Sequence, residues 1–212
     1  MTLPARNLGS KPAPPELALA QAFINTADHE KGTDEIDTPQ GLRDWLTTVG
    51  LIDAATPVTQ TDLAAAVGVR EALRNLTLAN NGYQTDPSAL DTLNRAARCA
   101  QLAVSFRADG GAGLQPRAPG VDGALGSIIA VAFDAMANGT WARLKACPAE
   151  TCLWAFYDET KNRSGTWCSM SVCGNRTKAR TYRQRHTHAG VASDFSSLSG
   201  RIAPAAKPDS AT

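Results

Sequence analysis

The sequence lacks most of what a membrane protein, an exported protein or an enzyme would show. No apolar stretch approaches the ~20 residues needed to cross a bilayer. The longest candidate, residues 126–137, is interrupted by Asp134 and followed by Asn138-Gly139. The opening residues MTLPARNLGSKPAPPEL contain no apolar segment of the secretory kind. We therefore expect a soluble, cytoplasmic protein with no membrane partner. The first 140 residues hold no internal repeat, no glycine-rich phosphate loop and no Ser/His/Asp set. No nucleophile–base pair or open metal site can be named anywhere, so an enzyme is the least expected class. What the chain has is 212 residues, 43% of them apolar. That is too apolar for a wholly disordered chain and long enough for one or two domains with a real core.

A net charge of +1 conceals an uneven distribution. Residues 1–140 carry 10 Lys+Arg against 15 Asp+Glu, a net of −5, whereas residues 141–190 carry 9 against 3, a net of +6. A short basic segment on an acidic body fits an anionic partner such as nucleic acid, and equally a mixed, solubilising surface.

Four of the five cysteines fall inside the basic segment. Cys147, Cys152, Cys168 and Cys173 form a C-x4-C pair, fifteen intervening residues, and a second C-x4-C pair. Two turns that each supply two thiolates are what a tetrahedral four-cysteine zinc site requires, and the metal joins turns that could not otherwise make a core. Without an export signal, disulfides are the weaker alternative. The reading is one structural Zn2+, its shell closed by four sulfurs. Cys99 lies in an Ala-rich helical stretch and reads as a small core residue.

Hydrophobic spacing and capping signals divide the rest. Residues 1–15 hold four prolines and read as an extended lead-in. Helices are predicted over Glu16–Ala27, Gly41–Val49, Thr61–Asn80, from Asp86-Pro87 to about Cys99, and over Val121–Ala137, with DHEKGTDEIDTPQ as a loop. AVSFRADGGAGLQP reads as a β-hairpin. Leu153–Asp158 alternates as a strand does, and Thr166-Trp167 reads as its returning partner. NRTKARTYRQRH is helical with little apolar content. A cysteine knuckle, a hairpin and a second pair at the start of a helix is a treble-clef layout. The expected fold is a mainly α N-terminal domain with one β-hairpin over residues 1–139 and a small treble-clef-like four-cysteine finger over 140–190, α+β overall. A flexible tail over 191–212 completes it.

The run WCSMSVCGNRTKARTYRQR, preceded by CPAETCLWAFYDETKNRSG, resembles the CGNR zinc-finger family, after Cys173-Gly174-Asn175-Arg176. AFINTADH, LRDWLTTVGL and VREALRNL are similar to the helical domain that usually precedes that finger, described as a putative stress-induced transcription regulator. The resemblance implies a bacterial regulator with one zinc and a DNA-binding role. The chain departs from the family in the loop before Trp167, where Glu159-Thr160 and Gly165-Thr166 stand and cations are fewer.

At 100° per residue, Arg176, Arg180 and Arg183 fall on one flank of the last helix and Lys178 and Arg185 on the other. Between them lie Thr177, Thr181 and Gln184. Asn175, Ala179, Tyr182 and His186 share the face expected to pack on the knuckle. Cations on two phosphate rails with short polar side chains between them suit a major groove. Arg176, Lys178, Arg180, Arg183 and Arg185 are therefore the candidate nucleic-acid residues, and DNA the expected partner. The plainer alternatives are a solvated helix face and, for Arg176, a hydrogen bond to a cysteine turn. Trp154, Phe156, Tyr157 and Trp167 read as module core rather than stacking platforms. His186 and His188 read as surface groups, and Asn25, Asp28 and His29 as a helix end rather than a ligand pocket. Three rival functions remain. One reads the finger as a protein-interaction module docking an acidic partner or its own acidic domain, or a second copy of the chain. Another reads it as a redox switch in which Cys147 or Cys168 is oxidised. No small-molecule ligand can be named.

Overall fold

The computed structural model of the chain describes residues 3–4, 7, 9, 11–108 and 110–194, without the side chains of 185 and 187–194. Residues 195–212, most of the segment expected to be a tail, lie outside the described residues. The chain divides into two units, Met1–Cys173 and Gly174–Thr212.

In the first unit, five helices form around one apolar core. Helix α1, Pro15–Ile24, begins on a proline at its first turn and is buried from Leu17 to Ile24. Helix α2, Pro39–Thr48, is capped by the Thr38 hydroxyl and buries Leu42, Trp45 and Leu46. Helix α3, Gln60–Ala79, starts on a reciprocal box in which Thr59 and Asp62 satisfy each other's backbone amides. Leu63, Ala66, Val69 and Leu73 recur on its buried side. Helix α4, Pro87–Cys99, is capped by Asp86, and helix α5, Gly120–Ala137, closes the bundle. Helix α3 packs on α4, α1 on α5, and α4 on α5. Phe23 and Trp45 meet at 5.4 Å between ring centroids in the core, beside the fully buried Leu17, Ile24, Leu46 and Ile128. Each such side chain contributes about 1.5–3 kcal/mol.

Strands β1, Ala27–Asp28, and β2, Thr33–Asp34, form a two-residue antiparallel bridge inside the segment expected to be loop. The expected hairpin is present as β3, Ala103–Phe106, and β4, Ala112–Gln115, with Val104 opposite Leu114. Helix α5 is long and apolar enough for a bilayer by composition alone, but half of it is buried in this core.

Two expectations fail. Cys99 is exposed rather than buried, because α4 rides on the outside of the bundle and buries only Ala89. Strand β6, Ala155–Tyr157, does not pair with Thr166-Trp167. Its partner is β5, Leu144–Ala146, which lies before the first cysteine and follows a 3-10 turn at Trp141–Arg143. The hairpin therefore brackets the first cysteine pair. Leu144 and Ala155 belong to the same core as the helices, while Phe156 packs with the cysteines in a second, smaller cluster. The second unit's described part is helix α6, Asn175–Asp194, so the helix runs into the first residues expected to be tail.

Candidate metal centre and basic helix

The β5–β6 ladder sets Ala146 opposite Ala155 and leaves residues 147–154 to turn. Cys147 N–H donates to the Trp154 carbonyl at 2.9 Å, and Cys152 N–H donates to Ala149 at 2.8 Å. Leu153, at φ +51°, reverses the chain into β6. This knuckle presents Cys147 and Cys152 to one point. Cys168 follows an irregular loop, and Cys173 sits in a π-helical turn, Met170–Gly174.

The four sulfurs all lie within 4.8 Å of one another, and none is in a disulfide. Cys152 and Cys168 are 3.5 Å apart, and Cys168 and Cys173 are 3.7 Å apart. A tetrahedron of sulfurs at about 2.3 Å from zinc has edges of about 3.8 Å, so the spacing fits one ion. Charge makes the same case. Hydrogen bonds from the Cys152 and Cys168 thiols hold Cys147 down to about 2. Its thiolate in turn pushes Cys152 up to about 12 and Cys168 higher still, while burial and Cys147 push Cys173 up. One thiolate is stable there and four are not, unless a cation joins them. With four sulfurs filling the shell, the ion is structural.

Residues that sequence reasoning missed hold this centre. Lys145 points inward from β5 and is almost fully buried with Asp158, their ammonium and carboxylate 2.8 Å apart. Lys145 also donates to the carbonyls of Arg163 at 2.6 Å and Gly165 at 2.9 Å. Asp158 Oδ1 accepts from the Thr160 amide and hydroxyl, and Oδ2 from Lys145 and the Gly165 amide. Burial raises the carboxyl pKa, but Lys145 and Thr160 outweigh it and hold Asp158 at about 2. Arg143 clamps the carbonyls of Asp158 and Thr160. A Cβ on Gly165 would stand 2.6 Å from Asp158 Oδ1, so this position needs glycine. The loop that departs from the family pattern is thus wound around a buried ion pair.

A second set of side chains ties the finger to the helices. Asn25, the C-cap of α1 and 2% exposed, accepts from Ala155 N–H at 2.8 Å and donates to its carbonyl at 2.9 Å. Its amide thereby takes the place of a neighbouring strand on the edge of β6. Gln21 adds a bond to the same carbonyl, and the Lys11 carbonyl receives Tyr157 N–H. At the end of α3, Asn80 reaches Trp141 and Leu144, and Asn81 reaches Ala146 and Thr166. Arg74 spans from Ile24 to Leu153, beside the knuckle. Its neighbour Arg70 grips both oxygens of Asp34 at 2.7 and 2.8 Å, and Glu71 bridges the two arginines. Burial raises Asp34, but Arg70 pulls it below the ordinary carboxylate range. Asn25 is therefore a structural helix end. Asp28 pairs with Lys31, and His29 is exposed, its pKa lowered by burial and by Arg74.

The aromatics are core. Phe156 is 1% exposed, and Trp154 and Trp167 pack on the cysteine cluster.

Along α6, Arg176, Lys178, Arg180 and Arg183 are exposed, and the side chain of Arg185 lies outside the described residues, as does that of His188. Asn175, Ala179 and His186 are exposed and Tyr182 is 63% exposed, whereas Thr177 and Thr181 are half-buried. Tyr182 and His186 stack at 3.9 Å, one turn apart.

The sequence profile of the CGNR zinc finger matches residues 143–186. That of the family described as putative stress-induced transcription regulator matches residues 17–139, more than half of the chain. The chain belongs to that family. No curated protein matches it. The family's helical domain covers α1 to α5, and the finger match runs from the first turn before β5 into α6. The two matched spans meet between 139 and 143, and beside that junction Asn80 binds Trp141 and Leu144 and Asn81 binds Ala146.

Proposed function

We propose that the protein regulates transcription by binding DNA through α6, acting by binding rather than by catalysis, with the zinc centre as the rigid root of that helix. The carrying observation is the run of exposed cations Arg176, Lys178, Arg180 and Arg183, continued by Arg185, in a helix with no acidic residue before Asp194. The helix also lacks an apolar stripe that would give it another reason to be specified so strongly. It starts two residues after Cys173, the last of the four cysteines. Membership in the regulator family supports the same reading.

The test is fluorescence anisotropy of the zinc-loaded chain on mixed-sequence duplexes across a salt series. Four to five phosphate contacts give a slope of log K against log salt of about −4. Arg180→Glu with Arg183→Glu abolishes binding while zinc content stays at one per chain. Retained binding in that variant removes α6 as the interface. Absence of binding at low salt, with zinc present, moves the finger to a protein-docking role.

A further inference from the structure

Beside the metal centre, the turn between β1 and β2 and the knuckle enclose an open cleft of about 290 Å3. Asp28, Lys31 and Trp154 line it, together with two of the four ligand residues, Cys152 and Cys168. Cys147 and Cys173 do not line it and are 0% and 1% exposed. Cys168 is the most exposed of the four and lies in an irregular segment rather than in a strand or helix. Its sulfur is 3.5 Å from that of Cys152. The centre is thus asymmetric: Cys168 is part-exposed on the cleft, Cys152 lines it beside Cys168 at 4% exposure, and Cys147 and Cys173 stand away from it.

We infer that this centre is a hydroperoxide-sensitive thiol switch in which Cys168 is oxidised first and Cys152 resolves it. The Cys168 thiolate attacks one peroxide oxygen, the O–O bond breaks, and hydroxide leaves from hydrogen peroxide, giving a sulfenic acid. The Cys152 thiolate then attacks that sulfur, an S–S bond forms, and a second hydroxide departs. Two thiolates have lost two electrons and one peroxide has gained them. Cys147 and Cys173 remain as two ligands, too few for a closed zinc shell, so the ion leaves and the root of α6 is lost with it. The inference rests on the metal centre and not on DNA binding, and its readouts are zinc and sulfur.

The experiment treats the zinc-loaded full chain, and its Cys99→Ser variant, with hydrogen peroxide at neutral pH. Released zinc is read with a chromogenic chelator and cross-links by peptide mass mapping. The expected result is loss of one zinc per chain in step with a Cys152–Cys168 cross-link, unchanged in Cys99→Ser and reversed by dithiothreitol with added zinc. Cys168→His offers an imidazole as fourth ligand and removes the reachable sulfur, so zinc is retained under the same dose. Should that variant fail to load zinc, the wild-type cross-link map decides alone. A different first cross-link, or zinc retained at a dose that oxidises the exposed Cys99, overturns the inference.

Discussion

Replacing Asp158 by asparagine tests whether the buried ion pair, rather than the metal alone, holds the loop that delivers Cys168. Each carboxylate oxygen accepts two donors, Thr160 amide and hydroxyl on Oδ1 and Lys145 and the Gly165 amide on Oδ2. An asparagine amide has one acceptor, so whichever way it lies its NH2 meets two donors and two hydrogen bonds are lost. The Lys145 ammonium also keeps its charge in a site where it is 6% exposed. Removing one partner of a buried pair costs about 3–5 kcal/mol. The pKa gives an independent lower figure. A carboxyl held at about 2 against an ordinary 3.8 contributes about 2 kcal/mol at pH 7, present above pH ~4 and lost as pH falls toward 2. Lys145→Met leaves the Asp158 carboxylate, 1% exposed, without its cation and the Arg163 and Gly165 carbonyls without their donor, so it costs a comparable amount, about 3–5 kcal/mol. Urea unfolding of the zinc-loaded chain at pH 7, followed by tryptophan fluorescence, measures both. Trp154 and Trp167 report from beside the cysteines. The reasoning is refuted if either substitution costs under about 1 kcal/mol.

Asn25→Ala removes both bonds to the Ala155 backbone and one to the Asn7 carbonyl, leaving a buried N–H without its acceptor. A loss of about 3 kcal/mol on the same unfolding curve is expected, with Asn25→Asp intermediate in hydrogen-exchange protection at Ala155. Gly165→Ala drives a methyl into the Asp158 carboxylate and costs about 2 kcal/mol, measured as lowered stability with zinc still bound at saturation. Arg70→Lys cannot fork onto Asp34 and should destabilise by more than 1 kcal/mol or so, read by urea midpoint at constant m-value.

Features whose physics is local were legible in the chain. Asp86-Pro87 marks a helix start because cap and proline act within two residues, and α4 begins there. The cysteine quartet was legible because metal-ligand spacing is itself a local signal, and the sulfurs meet as expected. The anchors were not legible. Asn25 binds a residue 130 positions away, and Lys11 donates to Trp167 across 156. Nothing near Asn25 distinguishes a strand-mimicking amide from an ordinary helix cap. The partner of β6 was misassigned for a related reason. Thr166-Trp167 offered a nearer return past a turn, but β5 precedes the first cysteine and lets one ladder close the knuckle from both sides. Cys99 was misread because an Ala-rich helical stretch looks the same on an inner and an outer helix.

Withdrawing the metal separates the two supports. Isolated zinc fingers unfold without zinc because the ion supplies most of their folding free energy. Here Leu144 and Ala155 sit in the helical core, and Asn25, Gln21, Asn80 and Asn81 hold β5 and β6 by bonds that involve no cysteine. With the chain in a chelator, the β5–β6 amides and the helices α1–α5 therefore keep their hydrogen-exchange protection and a cooperative melt. Protection falls instead around Cys168–Cys173, the stretch that carries the second pair of ligands. Lys145 and Asp158 set the boundary between these regions, because their network closes at Gly165, three residues before Cys168. Loss of protection at β6 in step with residues 168–176 would show that the hairpin depends on the ion after all. Loss confined to residues beyond Gly165 means that the metal's task is to order the stretch that carries Cys168 and Cys173, while β5, β6 and the helices of the first unit stand on asparagines.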